Sequence, residues 1–409
     1  MPSSGERRVL ALLALASVPF AFVNTLFTQT VSFAADEFGR SDSDIGIGAA
    51  VVRWGVVLVP PVAVLADRLG RRRVLVAALW GAPVLASLGA FAPNYEWLVA
   101  SQALARPLAL VINVMILVML TEEMSRETRA RSVGTVAIAS SLGAGIAVGT
   151  LPVADLATSG WRWLYLVSLV FLPVAFFLHR QLGETARFTH MHDVDATTIA
   201  THVSSARLLS QIAAASLTGL FVATASVYLV NYLRDVRGYD AVMVSAFTIV
   251  TAIPAGLGIV VGGRIADERG RRMVGALSLV IGALLVVLAY STGGVAMWCF
   301  EITGGIFLGV SFPALSVYRG EMFSTARRGM GSSVVTASGL IGGSVGLIFA
   351  GRLLDAGWNY SRVMGVMVVA PVIVAVIVLV AFPETAHREL EEISPDVVDA
   401  SQSGSSQSS

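Results

Sequence analysis

Three ionisable residues stand inside otherwise apolar stretches of this sequence: Arg53, Arg106 and Glu301. Each is costly in hydrocarbon, and residues of this kind mark solute pathways, proton relays or buried ion pairs. A guanidinium presents a planar fork of donors that matches a carboxylate or another anionic group. A buried carboxylate either carries a proton or forms one half of a structural ion pair. Two guanidiniums against one carboxylate leave a positive cavity suited to an anion. The competing reading neutralises Arg53 or Arg106 with Glu301, or with Asp36 or Glu37. Neutral polar residues extend the pattern. Gln102, Arg106 and Asn113 are four and seven residues apart and share one helical face. Thr25, Thr28, Gln29 and Ser32, with Asn24 beside them, form a similar stripe, as do Thr224, Tyr228 and Asn231. Such stripes read as cavity lining, with helix–helix hydrogen bonding as the alternative.

The elements that must position these residues follow from composition. The chain has 409 residues, 55% hydrophobic and 13% charged, with mean hydropathy +0.76. A soluble domain is about 25% charged, so a cytosolic enzyme, a nucleic-acid binder and a disordered chain are excluded. The 28 basic residues are all arginine, which excludes a Schiff-base or P-loop lysine. One cysteine, Cys299, excludes a disulfide framework or a cysteine metal site, and is assigned to helix packing. Twelve apolar runs predict membrane-spanning helices near 9–33, 45–66, 74–92, 97–120, 133–153, 163–179, 208–233, 241–266, 273–292, 295–317, 331–353 and 362–382. Arg7-Arg8 and the run after them resemble a secretion signal, but the run is too long and reads as the first span.

Arginine placement predicts topology. With the N-terminus inside, 20 arginines fall in cytoplasmic loops and tails, 6 on the opposite side, and 2 within spans. That bias puts both termini in the cytoplasm. The two halves also repeat at an offset near 200 residues. Ala66-Asp67-Arg68-Leu69-Gly70-Arg71-Arg72 recurs as Ala266-Asp267-Glu268-Arg269-Gly270-Arg271-Arg272. Gly183-Glu184-Thr185-Ala186 recurs as Pro383-Glu384-Thr385-Ala386, and Glu123 with Arg129 matches Glu321 with Arg327. The repeat predicts an all-α membrane protein: a six-helix bundle over 1–182, a connector over 183–207, a second bundle over 208–382, and a Ser/Gln-rich disordered tail over 383–409.

On these residues the chain resembles the major facilitator superfamily. Gly263 to Arg272 fits its loop signature Gly-x-x-x-Asp-(Arg/Lys)-x-Gly-Arg-(Arg/Lys), with Glu268 at the basic position; Ala63 replaces the first glycine of the earlier copy. Arg106 followed by Glu123 and Arg129 or Arg131 resembles a second signature, and Pro383-Glu384-Thr385 resembles the end of sugar-porter and metabolite–proton symporter branches. The resemblance implies two bundles rocking about a central site, with Asp67 and Asp267 as gating groups on the cytoplasmic side. Gly70 and Gly270 suit the tight reversals there, and Arg71, Arg72, Arg271 and Arg272 anchor them at lipid headgroups. It also implies a monomer in the plasma membrane that moves a small organic solute with protons. Symport is preferred and proton-coupled efflux is the alternative. No nucleic acid, cofactor or metal is implied: His190 and His192 lack a further ligand set, and all five histidines lie outside the spans or at their edges, which argues against an intramembrane enzyme. Ser141, Gly145 and Gly149, with Gly339 and Gly343, predict close helix packing.

Overall fold

In a hydrocarbon surrounding, backbone groups must bond within their own segment, and a helix achieves this unaided. The computed structural model describes residues 4–124, 126–183, 205–316, 318 and 328–384, and their regular structure is helical throughout. The first half contains α1 (Ser4–Phe38), α2 (Asp42–Trp54), α3 (Val59–Leu69), α4 (Arg71–Ser87), α5 (Tyr95–Glu123), α6 (Arg126–Gly149), α7 (Trp161–Val167) and α8 (Leu172–Gln181). The second contains α9 (Ser205–Asn231), α10 (Ala241–Arg269), α11 (Arg271–Ser291), α12 (Gly294–Ser316), α13 (Arg328–Asp355), α14 (Tyr360–Met367) and α15 (Val369–Ala381). Among the described residues, eleven helical stretches are long and apolar enough to cross a membrane. The expected second span is present but interrupted: a 3₁₀ turn over Gly55–Leu58 separates α2 from α3, with Pro60 and Pro61 just beyond it.

Local chemistry sets the helix ends. Ser41 caps α2 by accepting from the Asp44 N–H, and the Asp44 carboxylate returns a bond to the Ser41 N–H, a complete capping box. Asn94 caps α5 and Asn359 caps α14, each accepting at 2.8 Å. Gly70 and Gly270 have φ of 99° and 95°, so the two repeat copies make the same left-handed reversal before α4 and α11.

The chain divides into two compact units. The first comprises Met1–Asp195, Ser226–Ile249 and Leu347–Trp358; the second comprises Ala196–Ala225, Val250–Gly346 and Asn359–Ser409. In the first unit, α1 lies so close to α6 that a Cβ on Gly143 would overlap the Val18 carbonyl. Gly145 and Gly149, expected to make that approach, face open space. Aromatic contacts continue the core, with Phe22 and Phe171 ring centres 5.0 Å apart and Trp161 edge-on to Tyr165 at 5.8 Å. Glu37 accepts from the Trp161 indole at 2.6 Å and from Arg162 at 2.8 Å.

In the second unit, α9 and α13 approach through Gly219, Gly339 and Gly342, where any Cβ would meet backbone of the facing helix. Tyr318 packs edge-on to Phe382 at 4.9 Å beside Leu279 and Val378. Apolar stripes remain exposed, among them Ile253, Leu257 and Val260 on α10 and Val369, Val372, Val376 and Val380 on α15. In water these would be patches prone to association; in a bilayer they meet lipid. Cys299 is exposed on α12 rather than packed between helices. Apart from Gly183, 205–207 and Pro383-Glu384, the expected connector and tail, including His190, His192 and His202, lie outside the described residues.

Candidate functional site

Arg53 and Arg106 come together in the first unit. On α2, Gly46 and Arg53 are seven residues apart and share a face. At Gly46 that face meets the Leu347 carbonyl and the Tyr228 hydroxyl. On α5, Val99, Arg106 and Asn113 follow one another at seven-residue steps, and Val99 packs against Gly48 of α2. The two helices stay in register further along, where Gly55 fits against the Ala103 carbonyl and the Pro107 ring. Pro107 has no N–H to offer that carbonyl, so the helix is loosened beside Arg106.

Neither guanidinium has a carboxylate partner among the described residues. Among the described residues, the ion pairs of the first unit are Arg40–Glu96, Arg162–Glu37 and Arg234–Asp36, the last two at 2.8 and 2.7 Å. Asp36 and Glu37 are thus engaged with Arg234 and Arg162 rather than with Arg53 or Arg106. Both arginines are half-buried. Placing one arginine mid-span costs roughly 2.5–3.5 kcal/mol, and two adjacent like charges cost more, so an anionic partner is what this arrangement lacks.

On α1, the side-chain oxygens Asn24 Oδ1, Gln29 Oε1 and Ser32 Oγ are buried without a hydrogen-bond partner among the described residues. In the second unit, Glu301 on α12 is half-buried and its Oε2 is likewise buried and unpartnered. Asn113 is half-buried and makes no hydrogen bond among the described residues.

Three expected lining residues have other duties. Gln102 turns towards α4 and donates to the Ala86 carbonyl at 3.1 Å. Tyr228 and Asn231 belong to a seal at the end of the first unit remote from the N-terminus. The Tyr228 hydroxyl reaches the carbonyls of Asp42 at 2.9 Å and Leu347 at 3.1 Å, and Asn231 donates to the Asp42 carboxylate at 3.4 Å. A Cβ on either Gly46 or Gly351 would come within 2.6 Å of that hydroxyl, so both glycines are required for its seat. Arg234 pairs with Asp36 and lies over Phe33 at 3.9 Å. Asp355 accepts from the Ser43 N–H at 3.3 Å, Asp155 from the Ala241 N–H, and the Val148 carbonyl from Ser245 at 2.6 Å. A cavity of about 190 Å³ lies in this seal, bordered by Asp36, Asp155, Thr158 and Arg234. The sequence signal for the seal is the run Gly46-Ile47-Gly48-Ala49-Ala50, small residues that allow close approach.

The repeated loops reveal roles that residue type alone did not show. Glu384 accepts from the N–H groups of Arg271 at 2.9 Å and Arg272 at 3.1 Å, capping the positive end of α11. Asp267 pairs with Arg271, one turn on, at 2.8 Å. Arg72 donates to the carbonyls of His179 at 2.6 Å and Leu182 at 2.5 Å, closing the end of α8. Glu123 ends α5, and its side chain is half-buried and partnered. Arg71 is half-buried beside Gly70 and also partnered. Asp67 falls on α3 and Arg129 on α6, while their side chains, like Glu321 and Arg327 entirely, lie outside what is described. Losing the Glu384 cap costs about 1 kcal/mol. We therefore expect Glu384→Ala to lower the melting temperature by a few degrees, measured on detergent-purified protein, and Glu384→Gln to lower it less. An unchanged melting temperature in Glu384→Ala would contradict the capping role.

Among the described residues, no group of three or more His, Cys, Asp or Glu is placed to hold a metal. Eleven helices long and apolar enough to cross a membrane among the described residues, with exposed apolar stripes and a repeated loop, define a polytopic membrane protein. The Major Facilitator Superfamily model matches residues 13–302 and 247–397, and the chain belongs to that superfamily. It is a multi-pass integral membrane protein and a transporter, not an enzyme. It is 28% identical to the citrate–proton symporter of Klebsiella pneumoniae over 178 residues, 40% of this chain and 37% of that one. It is also 28% identical to the efflux pump azaK of Aspergillus niger over 148 residues, 35% and 31% of the two chains. The match thus spans about a third of the length of these curated relatives. Among solved structures, the fold is similar to a bacterial homologue of the human lysosomal transporter Spinster in its inward-facing, unoccupied form. Its TM-score is 0.77 at 16% identity, over 93% of this chain and 98% of that one. The inward-open Escherichia coli xylose transporter XylE is similar at TM-score 0.76 and 15% identity, over 95% and 99%.

Proposed function

We propose that this chain is a secondary active transporter that carries a small organic anion by alternating access, with protons moving in symport. The single observation carrying the anion reading is the Arg53–Arg106 pair, which has no carboxylate partner among the described residues. The similarity to a citrate–proton symporter supports both the anion and the coupling ion. Glu301, buried with an unpartnered oxygen, is the proton carrier in this reading. The arginine bias of the loops favours both termini in the cytoplasm, and the family resemblance favours a monomer in the plasma membrane. Asp67 and Asp267 in the repeated loops, with Glu123, Arg129, Glu321 and Arg327, serve the cytoplasmic gate. The repeated six-helix halves, joined through the stretch 183–207, are the rocking bodies. A second reading, proton-coupled export, is favoured by the similarity to the efflux pump azaK.

Purified protein in proteoliposomes with an imposed pH gradient separates these readings. Symport predicts that a panel of organic anions accumulates only when the gradient drives protons the same way. Solute movement opposite to the protons establishes export, and accumulation of neutral or cationic solutes alone removes the anion reading. Glu301→Gln is expected to keep anion binding within about threefold while abolishing pH-driven accumulation, because the amide cannot release a proton. Retained pH-driven accumulation in that variant would remove Glu301 from the coupling step.

A further inference from the structure

The helix α1 treats its polar side chains in two ways. Those that face α6 and α7 are satisfied: Ser17 donates to the carbonyls of Ala14 and Val136, and Thr30 bonds the Leu26 carbonyl and the Tyr165 hydroxyl. Gln29 Oε1 and Ser32 Oγ, together with Asn24 Oδ1 further back, are buried and left open. Gln29, Ser32 and Asp36 lie at steps of three and four residues, so they form one face. Asp36 meets Arg234, just beyond α9, which fixes the direction of that face. The Gly46–Arg53 face of α2 looks the same way, because Gly46 meets Tyr228 of α9. The open amide and hydroxyl of α1 therefore look out on the side where Arg53 stands, with Arg106 beside it.

Buried polar atoms without partners are rare in folded proteins and call for an explanation such as a ligand or bound water. Here, among the described residues, two arginines without a carboxylate and three neutral oxygens without a hydrogen-bond partner belong to one unit. We infer that the solute is a hydroxylated dianion, its anionic oxygens held by Arg53 and Arg106 and its hydroxyl by Gln29 and Ser32. This rests on the anion reading of the same site and deepens it. Each guanidinium fork donates to a carboxylate or a phosphate, so two forks suit two carboxylates or one phosphate, and a hydroxyl suits both an amide and another hydroxyl because it donates and accepts. A site that bonds a hydroxyl discriminates strongly against the analogue lacking it, since its own buried groups then stay unpaired.

The test uses matched pairs that differ by one hydroxyl: malate against succinate, and glycerol 3-phosphate against propyl phosphate. Binding to the purified full-length protein is measured by equilibrium dialysis, and transport by uptake into proteoliposomes. In at least one pair the hydroxylated member is expected to bind at least about tenfold more tightly. Gln29→Leu combined with Ser32→Ala should narrow that preference to under about threefold by weakening the hydroxylated member. The double variant removes unsatisfied groups, so its melting temperature should equal or exceed the wild type's. Equal binding within both pairs overturns the hydroxyl assignment and leaves the anion reading standing. So does a preference that persists in the double variant. Failure of every anion to bind, with binding of a neutral polyol or an amine instead, overturns the inference together with the reading beneath it.

Discussion

Replacing Arg106 by alanine is expected to lower kcat/KM for the transported anion at least about a hundredfold while leaving the protein folded. A hydrogen bond to a charged group is worth about 1.5–3 kcal/mol, and a guanidinium can make two to one carboxylate. Losing both removes about 3 kcal/mol or more, and each 1.4 kcal/mol is tenfold in affinity. The usual objection to removing a buried charge is that its partner is stranded. That does not apply here, because Arg106 has no carboxylate partner among the described residues, and its removal takes away one of two like charges on neighbouring helices. The melting temperature should stay level or rise, which separates loss of function from loss of fold. Arg106→Lys should recover only part of the activity, since an ammonium lacks the planar fork. Anion uptake by Arg106→Ala within about threefold of wild type would end the anion-site reading.

Gly46→Ala is the second large effect. Its new methyl would overlap the Leu347 carbonyl and stand 2.6 Å from the Tyr228 hydroxyl. The Tyr228 ring is fully buried and its hydroxyl is tied to two carbonyls, so neither neighbour yields freely. Overpacking of this kind costs about 1–3 kcal/mol, which shifts a two-state equilibrium roughly 5- to 150-fold. The seal at this end should therefore open more often, and transport should fall about tenfold or more. The natural chain has one cysteine, so the seal can be followed directly. In a Cys299→Ala background, Ser43→Cys should react slowly with a membrane-impermeant thiol reagent and at least about five times faster once Gly46→Ala is added. Tyr228→Phe, which keeps the ring and loses only the hydroxyl, should give a smaller increase. Equal reaction rates with and without Gly46→Ala would show that the Gly46–Tyr228 contact does not hold this end closed.

Much of the molecule was legible from short stretches of chain. The spans could be bounded because hydrocarbon selects apolar runs of set length, a property each segment carries by itself. The repeated loop could be aligned because an aspartate, a glycine and two arginines recur in fixed order, and Gly70 and Gly270 indeed adopt the same reversal. The break in the second span was less visible. Pro60 and Pro61 mark its neighbourhood, but the 3₁₀ turn lies before them, where Gly55 fits against Ala103 and Pro107 of another helix.

The sequence alone determined which residues are exceptional in a membrane: Arg53, Arg106 and Glu301 stand out against their own neighbours, since a charged side chain within an apolar run is costly in hydrocarbon. Only the tertiary structure decided which polar residues are already occupied. Gln102 shares the spacing of Arg106 and Asn113 yet bonds the Ala86 carbonyl, and Tyr228 and Asn231, read as lining, tie α9 to Asp42. Spacing defines a face, but the rotation and depth of the facing helix determine whether that face finds a partner. Those depend on contacts between residues more than a hundred positions apart, such as Asp42 with Tyr228 and Gly143 with Val18. The same contacts engaged Asp36 and Glu37 with Arg234 and Arg162, and among the described residues no carboxylate pairs with the two mid-span arginines.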